Sequence, residues 1–350
     1  TRPDVEYAGS PSEILDMFVH YTRKRTSQVP APSSEWPKIR PFPMTAGAPK
    51  TIGDYEILEE IGHGGMGTLY RARDPRIGRD LAIMLLRGGL EDPEMRERFV
   101  REARAAGKLK HGNIVTIFEL GEHDGLPFIA MEYVQGQTLA ALLKQKPTLL
   151  LMRKLQMMDQ VCGGLHYAHR MGIVHRDIKP ANLMIDDEGT MKILDFGIAR
   201  MGTSKVTHTG VVIGTLNYMS PEQMKGQPTD PRSDIFSIGA VFYELLSYRS
   251  PFAGDAPSTV MHKVLYGSPD QLELICPNLD PSLVAIVARC LQKQPADRYP
   301  DLAAVRAALG GVMNLLQASG AETVLEVTRP VSGPLPEPPK KDPGTAPSSD

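Results

Sequence analysis

The pattern of apolar and polar positions divides the chain into two parts with different periodicity. Between residues 55 and about 132, the runs YEILEEI, GTLYRARD, DLAIMLL, IVTIFELGEH and PFIAMEY predict short strands. One segment among them, DPEMRERFVREARAAGKL, has helical spacing and a proline near its start, where a helix tolerates it. This stretch therefore predicts a small β-rich lobe with one helix.

From about residue 138 the spacing becomes helical, as in RKLQMMDQVCGGLHYAHRMG and PRSDIFSIGAVFYELLSY. The pattern predicts a larger helical lobe over about residues 138–316, joined to the first lobe through about residues 132–137. The fold class is therefore α+β and bilobal, with a domain over residues 51–316 and no internal repeat.

The two ends of the chain have a different composition. Residues 1–50 are rich in proline and serine, which argues against a packed core, although SPSEILDMFVHYTRKR has the spacing of a short amphipathic helix. Such a helix would dock on the main domain or on a partner. Residues 317–350 predict a proline-rich tail or linker without fixed structure.

Composition and charge exclude several classes of protein. With 41% hydrophobic and 23% charged residues, the chain is typical of globular proteins, and its net charge of -2 gives no support for a nucleic-acid partner. Three widely separated cysteines suggest reduced packing residues rather than a metal site. No apolar run reaches the ~18 residues of a membrane span. We expect a cytoplasmic domain, and a membrane anchor beyond the C-terminal tail remains compatible with the sequence.

A glycine-rich run, EIGHGGMGTLY, contains the spacing G-x-G-x-x-G. A dinucleotide-binding version requires a helix after the glycines, whereas TLYRARD predicts a second strand. The glycines therefore lie in a hairpin, which can fold over a triphosphate because no Cβ separates the backbone N–H groups from the oxygens. The run by itself leaves a plain flexible hairpin as an equal alternative.

A second stretch, IVHRDIKPANLMI, places Asn182 five residues after Asp177, and thirteen residues further on ILDFGIAR contains Asp195. A single such residue in a loop is more often a turn cap. Together with GGMG, GTLNYMSPEQ and DRY in this order, however, the motifs make the chain resemble bacterial, Hanks-type serine/threonine protein kinases. The resemblance covers about residues 55–315 and implies the bilobal protein-kinase fold.

The resemblance implies ATP-dependent transfer of phosphate to serine and threonine residues of proteins. Asp177 would accept or orient the proton of the substrate hydroxyl, and Lys179 would steady the transferring phosphate. Asn182 and Asp195 would hold Mg²⁺, with Mn²⁺ as an alternative, and the metal would bridge the phosphates of ATP.

The resemblance also implies a nucleotide-binding set. Its members are Ile61, Gly62, Gly64, Gly65, Gly67, Leu69, Ala82, Met84, Glu102, Met131, Glu132, Val134 and Met184. By this resemblance Met131 would lie at the back of the adenine pocket, and the backbone at Glu132 and Val134 would hydrogen-bond the adenine. A plain core role is equally consistent for the apolar members, because the pocket is part of the core.

Four further residues have structural roles by resemblance. Glu222 and Arg298 match a buried ion pair that braces the substrate side of the helical lobe, and Asp234 matches the residue that holds the backbone of the catalytic loop. Arg176, beside the catalytic aspartate, is suited to bind a phosphate.

The segment before Glu222 matches an activation loop and is rich in hydroxyl groups. It contains Thr207 and Thr209 as a T-x-T pair, and a phosphate on either would order the loop through Arg176. Autophosphorylation of these sites implies self-association of the chain. A mobile polar loop without such a switch is the alternative.

One position departs from the family pattern. The family places a phosphate-contacting lysine in V-A-I-K, where this chain has Leu81-Ala82-Ile83-Met84. Methionine matches lysine in length but has no charge, so it fills the slot without distorting the fold and donates no hydrogen bond. The glycine-rich run contains no lysine, and Arg71 and Arg73 on the next strand are weak candidates for a substitute.

Loss of this cation predicts phosphoryl transfer slowed by orders of magnitude, because the reaction depends on positioning and electrostatics. The preferred hypothesis is an active kinase disabled by a Lys→Met change. The alternative is a natural pseudokinase that binds nucleotide and acts as a signalling scaffold.

Overall fold

The computed structural model describes residues 49–64, 67–86, 93–196, 216–319 and 324–325. The short helix predicted within residues 1–50 lies outside these ranges, as does nearly all of the predicted proline-rich tail.

The N-terminal lobe is built on a six-stranded antiparallel sheet with the strand order β1-β2-β3-β4-β6-β5. Its strands are β1 (Thr51–Ile52), β2 (Tyr55–Gly64), β3 (Gly67–Asp74), β4 (Arg79–Leu86), β5 (Ile117–His123) and β6 (Leu126–Glu132). Helix α1 (Pro93–Ala106) lies between β4 and β5 in the chain and contacts β5. The predicted β-rich lobe with one helix is confirmed.

The C-terminal lobe is mainly helical, as the spacing predicted. Its helices are α2 (Leu139–Gln145), α3 (Leu151–Arg170), α4 (Pro221–Met224), α5 (Pro231–Ser247), α6 (Pro257–Tyr266), α7 (Leu272–Ile275), α8 (Pro281–Cys290) and α9 (Leu302–Ser319). A small sheet of β7 (Gly136–Thr138), β8 (Leu183–Asp186) and β9 (Met191–Ile193) carries the segments on either side of the candidate active site.

Helix α5 forms the centre of this lobe. Fourteen of its 17 residues are buried, which is typical of a helix surrounded by others rather than of one at the surface. At Gly239 an added Cβ would lie 2.6 Å from the Cβ of Cys290, so glycine allows α8 to pack closely against α5. Cys290, like Cys162 and Cys276, is a free, buried thiol.

The end of the domain is formed by α9, which packs along α3. This helix continues to Ser319, three residues past the predicted domain boundary at 316. Beyond it, Val324 forms a β-bridge with Leu150, and the neighbouring Leu325 is buried in the core of the lobe. Among the described residues, no helix combines the length and the apolar character needed to cross a membrane.

Candidate active site

The loop between α3 and β8 gathers three of the predicted catalytic side chains around one carboxylate. The Nζ atom of Lys179 lies 3.0 Å from Oδ2 of Asp177, and Nδ2 of Asn182 donates to the same oxygen over 3.0 Å. Nδ2 of Asn182 also donates to the backbone carbonyl of Asp177 over 2.6 Å. The local 3₁₀ turn at residues 180–182 brings these groups together, so this cluster follows from short-range chain geometry.

Asp195 follows β9 and lies near enough to this cluster to respond to the charges of Asp177 and Lys179. Burial and then the charge of Asp177 raise the pKa of Asp195 to about 6, while Lys179 acts in the opposite direction. Asp195 has a backbone φ of +53°, a conformation that residues other than glycine rarely adopt. A non-glycine residue keeps such a backbone conformation only where the surrounding structure restrains it.

A buried histidine provides part of that restraint. The Nε2 atom of His175 lies 2.7 Å from the carbonyl oxygen of Leu194, and its ring contacts that of Phe196 at 4.7 Å between centroids. Burial lowers the pKa of His175, so the imidazole is neutral and donates to this carbonyl through Nε2–H. The residues on both sides of Asp195 are thereby tied to the loop that contains Asp177.

Asn182 provides a test of whether a cation fits here. Its Oδ1 atom is buried and has no hydrogen-bond partner within the described residues, although its Nδ2 atom has two. A buried amide oxygen without a donor is costly unless something electropositive faces it. The carboxylate of Asp195 and the amide oxygen of Asn182 are hard oxygen donors of the kind that Mg²⁺ binds, so the residues present fit such a cation.

Asp234, near the start of α5, holds the backbone of the catalytic loop. Its Oδ2 atom accepts from the N–H of His175 over 2.8 Å, and its Oδ1 atom accepts from the N–H of Arg176 over 2.7 Å. Nε2 of His169 lies 2.7 Å from Oδ2 as well. Burial opposes the charged form, but the hydrogen bond with His169 and nearby charges lower the pKa of Asp234. These contacts fix Arg176 at a φ of +66°, directly before Asp177.

Glu222 and Arg298 form a buried ion pair in the C-terminal lobe. The two guanidinium nitrogens Nη1 and Nη2 of Arg298 lie 2.8 Å from Oε1 and Oε2 of Glu222, respectively. Burial alone would raise the pKa of Glu222, but hydrogen bonds from Arg298 and Ser233 lower it to about 2. The arginine also donates to three backbone carbonyls, so it ties α4 to the loops around it.

The apolar residues assigned to the nucleotide pocket belong to a single cluster between the lobes. Its members from the predicted set are Ile61, Leu69, Ala82, Met84, Met131 and Met184, with Val134 packed against them. Leu194, next to Asp195, is in the same cluster. The base of the glycine hairpin and the segment that contains Asp195 therefore lie against the same apolar cluster.

The glycine-rich run forms the predicted hairpin between β2 and β3. Gly62 pairs with Leu69 and Gly64 pairs with Gly67 across it, while Gly65 lies outside the described residues. An added Cβ at Gly67 would lie 2.2 Å from the carbonyl oxygen of Leu85, so β4 approaches too closely for any other residue. The close packing of β3 against β4 therefore requires glycine at position 67, in addition to any requirement from phosphate binding.

Met84 lies on β4, 3% exposed, paired with Leu69 on one side and Ile129 on the other. It lines a cavity of about 20 Å³, room for about one water molecule, together with Met131 and Asp195. Met84 therefore lies close both to the strand that follows the glycines and to Asp195.

No substitute for a lysine comes from β3. Arg71 and Arg73 both bind Asp80, with Arg71 Nη2 2.5 Å from Oδ2 and Arg73 Nη2 2.9 Å from Oδ1. On α1, Glu102 is half-buried and is not without a partner. Glu102, which the family pairs with the phosphate-contacting lysine, therefore keeps an interaction in this chain although Met84 cannot pair with it.

The hinge, the segment at about residues 132–137 that joins the two lobes, has an ion pair that the sequence did not predict. Lys192 Nζ lies 2.5 Å from Oε1 of Glu132, and the backbone N–H of Glu132 donates to the carbonyl oxygen of Thr116 over 2.9 Å. Sequence reasoning also missed His169, whose role depends on a contact 65 residues away. No local motif signals either contact. Thr207 and Thr209, the predicted phosphorylation sites, lie outside the described residues.

The two-lobed fold, the Asp234-held loop and the buried Glu222–Arg298 pair define a protein kinase. The protein kinase domain matches residues 55–308, and the chain belongs to this family. The resemblance to Hanks-type bacterial kinases is confirmed by curated relatives.

Among these relatives, a protein of Streptomyces coelicolor described as a probable serine/threonine-protein kinase is 45% identical over 255 residues, covering 71% of this chain and 38% of the relative. The serine/threonine-protein kinase PknB of Mycobacterium tuberculosis is 40% identical over 275 residues, covering 76% of this chain and 44% of the relative. The probable serine/threonine-protein kinase PknB of Corynebacterium glutamicum is 41% identical over 268 residues, covering 73% of this chain and 42% of the relative. The chain thus spans less than half the length of these relatives.

Proposed function

We propose that this chain is the catalytic domain of an ATP-dependent serine/threonine protein kinase, in a form impaired by Met84. The observation that carries the proposal is the cluster of Lys179 and Asn182 around Asp177, with Asp195 close enough for its pKa to respond to the charges of Asp177 and Lys179. The names of the relatives support serine and threonine as acceptors. The protein substrate would be any chain that presents such a hydroxyl to Asp177.

In this mechanism Asp177 accepts the proton of the acceptor hydroxyl, or orients that hydroxyl toward the phosphate. Lys179, held 3.0 Å from Asp177, places a positive charge where the transferring phosphate gains negative charge. Asn182 and Asp195 would hold Mg²⁺, which offsets the charge of the phosphates when it is bound. The unpartnered Oδ1 atom of Asn182 is suited to that ligand role.

The adenine would lie in the apolar cluster, between Ala82 and Met184, with Met131 at its back. At the hinge the N–H of Glu132 is already bonded to Thr116, so of its two backbone groups only the carbonyl can serve the adenine. The N–H of Val134 would supply the second hydrogen bond. The glycine hairpin would cover the phosphates.

Met84 removes the fixed cation that the family places at the phosphates. Because it is buried among apolar side chains, it keeps the fold and the adenine site while supplying no charge. The expected result is a chain that binds nucleotide and transfers phosphate very slowly.

Restoring the cation tests the proposal. We expect Met84→Lys to raise phosphate incorporation into serine and threonine of the chain or of a generic protein substrate at least ~100-fold. Two controls separate charge from packing and from contamination: Met84→Leu, which changes shape without adding charge, and Met84→Lys combined with Asp177→Asn. Neither control should show the gain, and no gain in Met84→Lys itself would overturn the proposal.

A nucleotide-binding scaffold without catalysis is the second candidate, favoured by Met84 itself. It predicts that Mg·ATP stabilises the chain against unfolding, by about 2.7 kcal/mol at 100 times the dissociation constant, while neither version transfers phosphate. The two candidates thus differ only in the outcome for Met84→Lys.

The remaining assignments extend the proposal beyond the active site. Phosphate on Thr207 or Thr209 would bind the exposed side chain of Arg176 and order the activation loop, with one copy of the chain modifying another. The kinase domain would span residues 51–316, between a proline-rich extension and a proline-rich tail. It would act in the cytoplasm.

A further inference from the structure

Arg71 on β3 is held by two carboxylates of the neighbouring strands. Its Nη1 atom donates to Oε1 of Glu59 over 3.1 Å, and its Nε and Nη2 atoms donate to Oδ2 of Asp80 over 3.0 and 2.5 Å. Glu59 is only 4% exposed, and these contacts fix the plane of the guanidinium group. Such a restrained arginine can stack on a ring at little further cost in side-chain entropy.

The group that Arg71 faces is the ring of Tyr133, in the hinge. The guanidinium carbon lies 5.0 Å from the centre of the ring, within the range of a cation–π contact. Tyr133 is half-buried and packs against the apolar cluster that contains Ala82 and Met184. The arginine therefore links the sheet of the N-terminal lobe to the chain segment between the lobes.

The position of Arg71 in the sheet places this contact at the edge of the candidate nucleotide pocket. Arg71 lies directly opposite Ala82 in the β3–β4 ladder. It also shares a face of β3 with Leu69, two residues earlier, because side chains alternate along a strand. The ion-paired arginine thus continues, toward the hinge, the surface that would cover the adenine.

We propose that Arg71 is a positioning residue that sets nucleotide affinity by holding Tyr133 and, through it, the backbone N–H of Val134. This inference rests on the proposed nucleotide-binding function. Arg71 has no contact with the substrate in this scheme and acts through the hinge. It differs in this from a replacement for the missing lysine, which would act on the phosphates.

Arg73 offers a matched control on the same strand and the same face. It binds the other oxygen of Asp80 over 2.9 Å, and it is 47% exposed against 33% for Arg71. Only Arg71 of the two stacks on Tyr133 among the described contacts. Comparison of Arg71→Met with Arg73→Met therefore separates the hinge contact from a loss of charge on β3.

The experiment is isothermal titration of the full chain with Mg·ATP and, separately, with adenosine. We expect Arg71→Met to weaken both ligands by about the same factor, roughly three- to fivefold for a contact of this kind, and Arg73→Met to weaken neither. A loss for Mg·ATP alone would assign Arg71 to the phosphates and overturn the inference. Equal effects of the two arginine variants would overturn it too.

Tyr133→Leu provides a second, independent variant, which also serves if Arg71→Met does not fold. It should weaken both ligands as Arg71→Met does, and the double variant should be no weaker than either single one. Multiplied losses in the double variant would contradict coupling through the ring. Absence of nucleotide binding by the unaltered chain would instead overturn the proposed function, and the inference with it.

Discussion

Lys154, on helix α3, has its ammonium group buried in the C-terminal lobe. It is 1% exposed, its Nζ atom donates to the carbonyl oxygen of Leu246 over 3.3 Å, and it lies 4.2 Å from the centre of the Tyr248 ring. It forms no ion pair with any described carboxylate. Burial lowers the pKa of Lys154 from 10.5 to about 8. We predict that Lys154→Met alters how stability depends on pH.

The size of the effect follows from the pKa difference. One pKa unit corresponds to 1.36 kcal/mol, so holding Lys154 charged costs the native state about 3 kcal/mol at pH 7. Methionine avoids this cost but loses the hydrogen bond to Leu246, worth about 1 kcal/mol, and the contact with the Tyr248 ring, worth about 0.5–1 kcal/mol. The variant should therefore be more stable than the unaltered chain at pH 7, by about 1 to 2 kcal/mol.

The direction of the pH dependence is set by proton binding. Because the pKa is lower in the folded chain, the unfolded chain binds more protons between pH 8 and 10.5, and the stability of the unaltered chain rises with pH over this window. This gain in the free energy of unfolding is complete above pH 10.5. It is lost progressively as the pH falls from 10.5 to 8. Lys154→Met removes it, so its advantage should shrink with rising pH and reverse.

Urea unfolding of both chains from pH 7 to 10.5 measures this difference, because the titration of groups that do not interact with Lys154 cancels between them. The Cys276 thiol is the exception, since the charge of Lys154 lowers its pKa, and Cys276→Ser in both chains removes it from the comparison. Lys144→Met on the neighbouring helix, where the lysine is exposed, is the matched control and should run parallel to the unaltered chain. Parallel curves for Lys154→Met as well would refute the reasoning, because they would mean that the buried ammonium does not titrate in this range.

Two further predictions concern backbone packing and buried charge. Gly67→Ala places a Cβ 2.2 Å from the carbonyl oxygen of Leu85 and should lower both the melting temperature and nucleotide affinity, whereas Gly310→Ala, with no atom within 4 Å of its added Cβ, should not. Glu222→Gln leaves Arg298 buried without a counter-charge and should destabilise the chain by roughly 3–5 kcal/mol in urea unfolding at pH 7. Since the pKa of Glu222 is lowered to about 2, this cost should diminish as the pH falls from 4.5 toward 2, and a cost independent of pH would contradict the ion-pair account.

Local sequence motifs predict much of the candidate site. Asp177, Lys179 and Asn182 lie within six residues, and one turn of backbone brings them into contact. Similarly, strand patterns on both sides of the glycines were enough to predict a hairpin rather than a strand–helix junction. Such features are set by neighbours in the chain, and the sequence shows them directly.

Contacts between distant segments cannot be predicted from local sequence patterns. The pairing of Glu222 with Arg298 across 76 residues was inferred only through resemblance to a family, and His169 as a partner of Asp234 was not inferred at all. No periodicity specifies which polar group will face another once helices pack. For the same reason the buried charge of Lys154 was indistinguishable from a solvated helix residue.

The sequence by itself determined the two lobes, the order of the motifs and the absence of a lysine at position 84, because these depend on local pattern and on identity at one site. Only the tertiary structure decided that Met84 lies inside an apolar cluster and that Arg71 is bound by Glu59 and Asp80. Strand alternation assigns a side chain to a face, but the partner it meets there depends on strands and hinge segments from elsewhere in the chain.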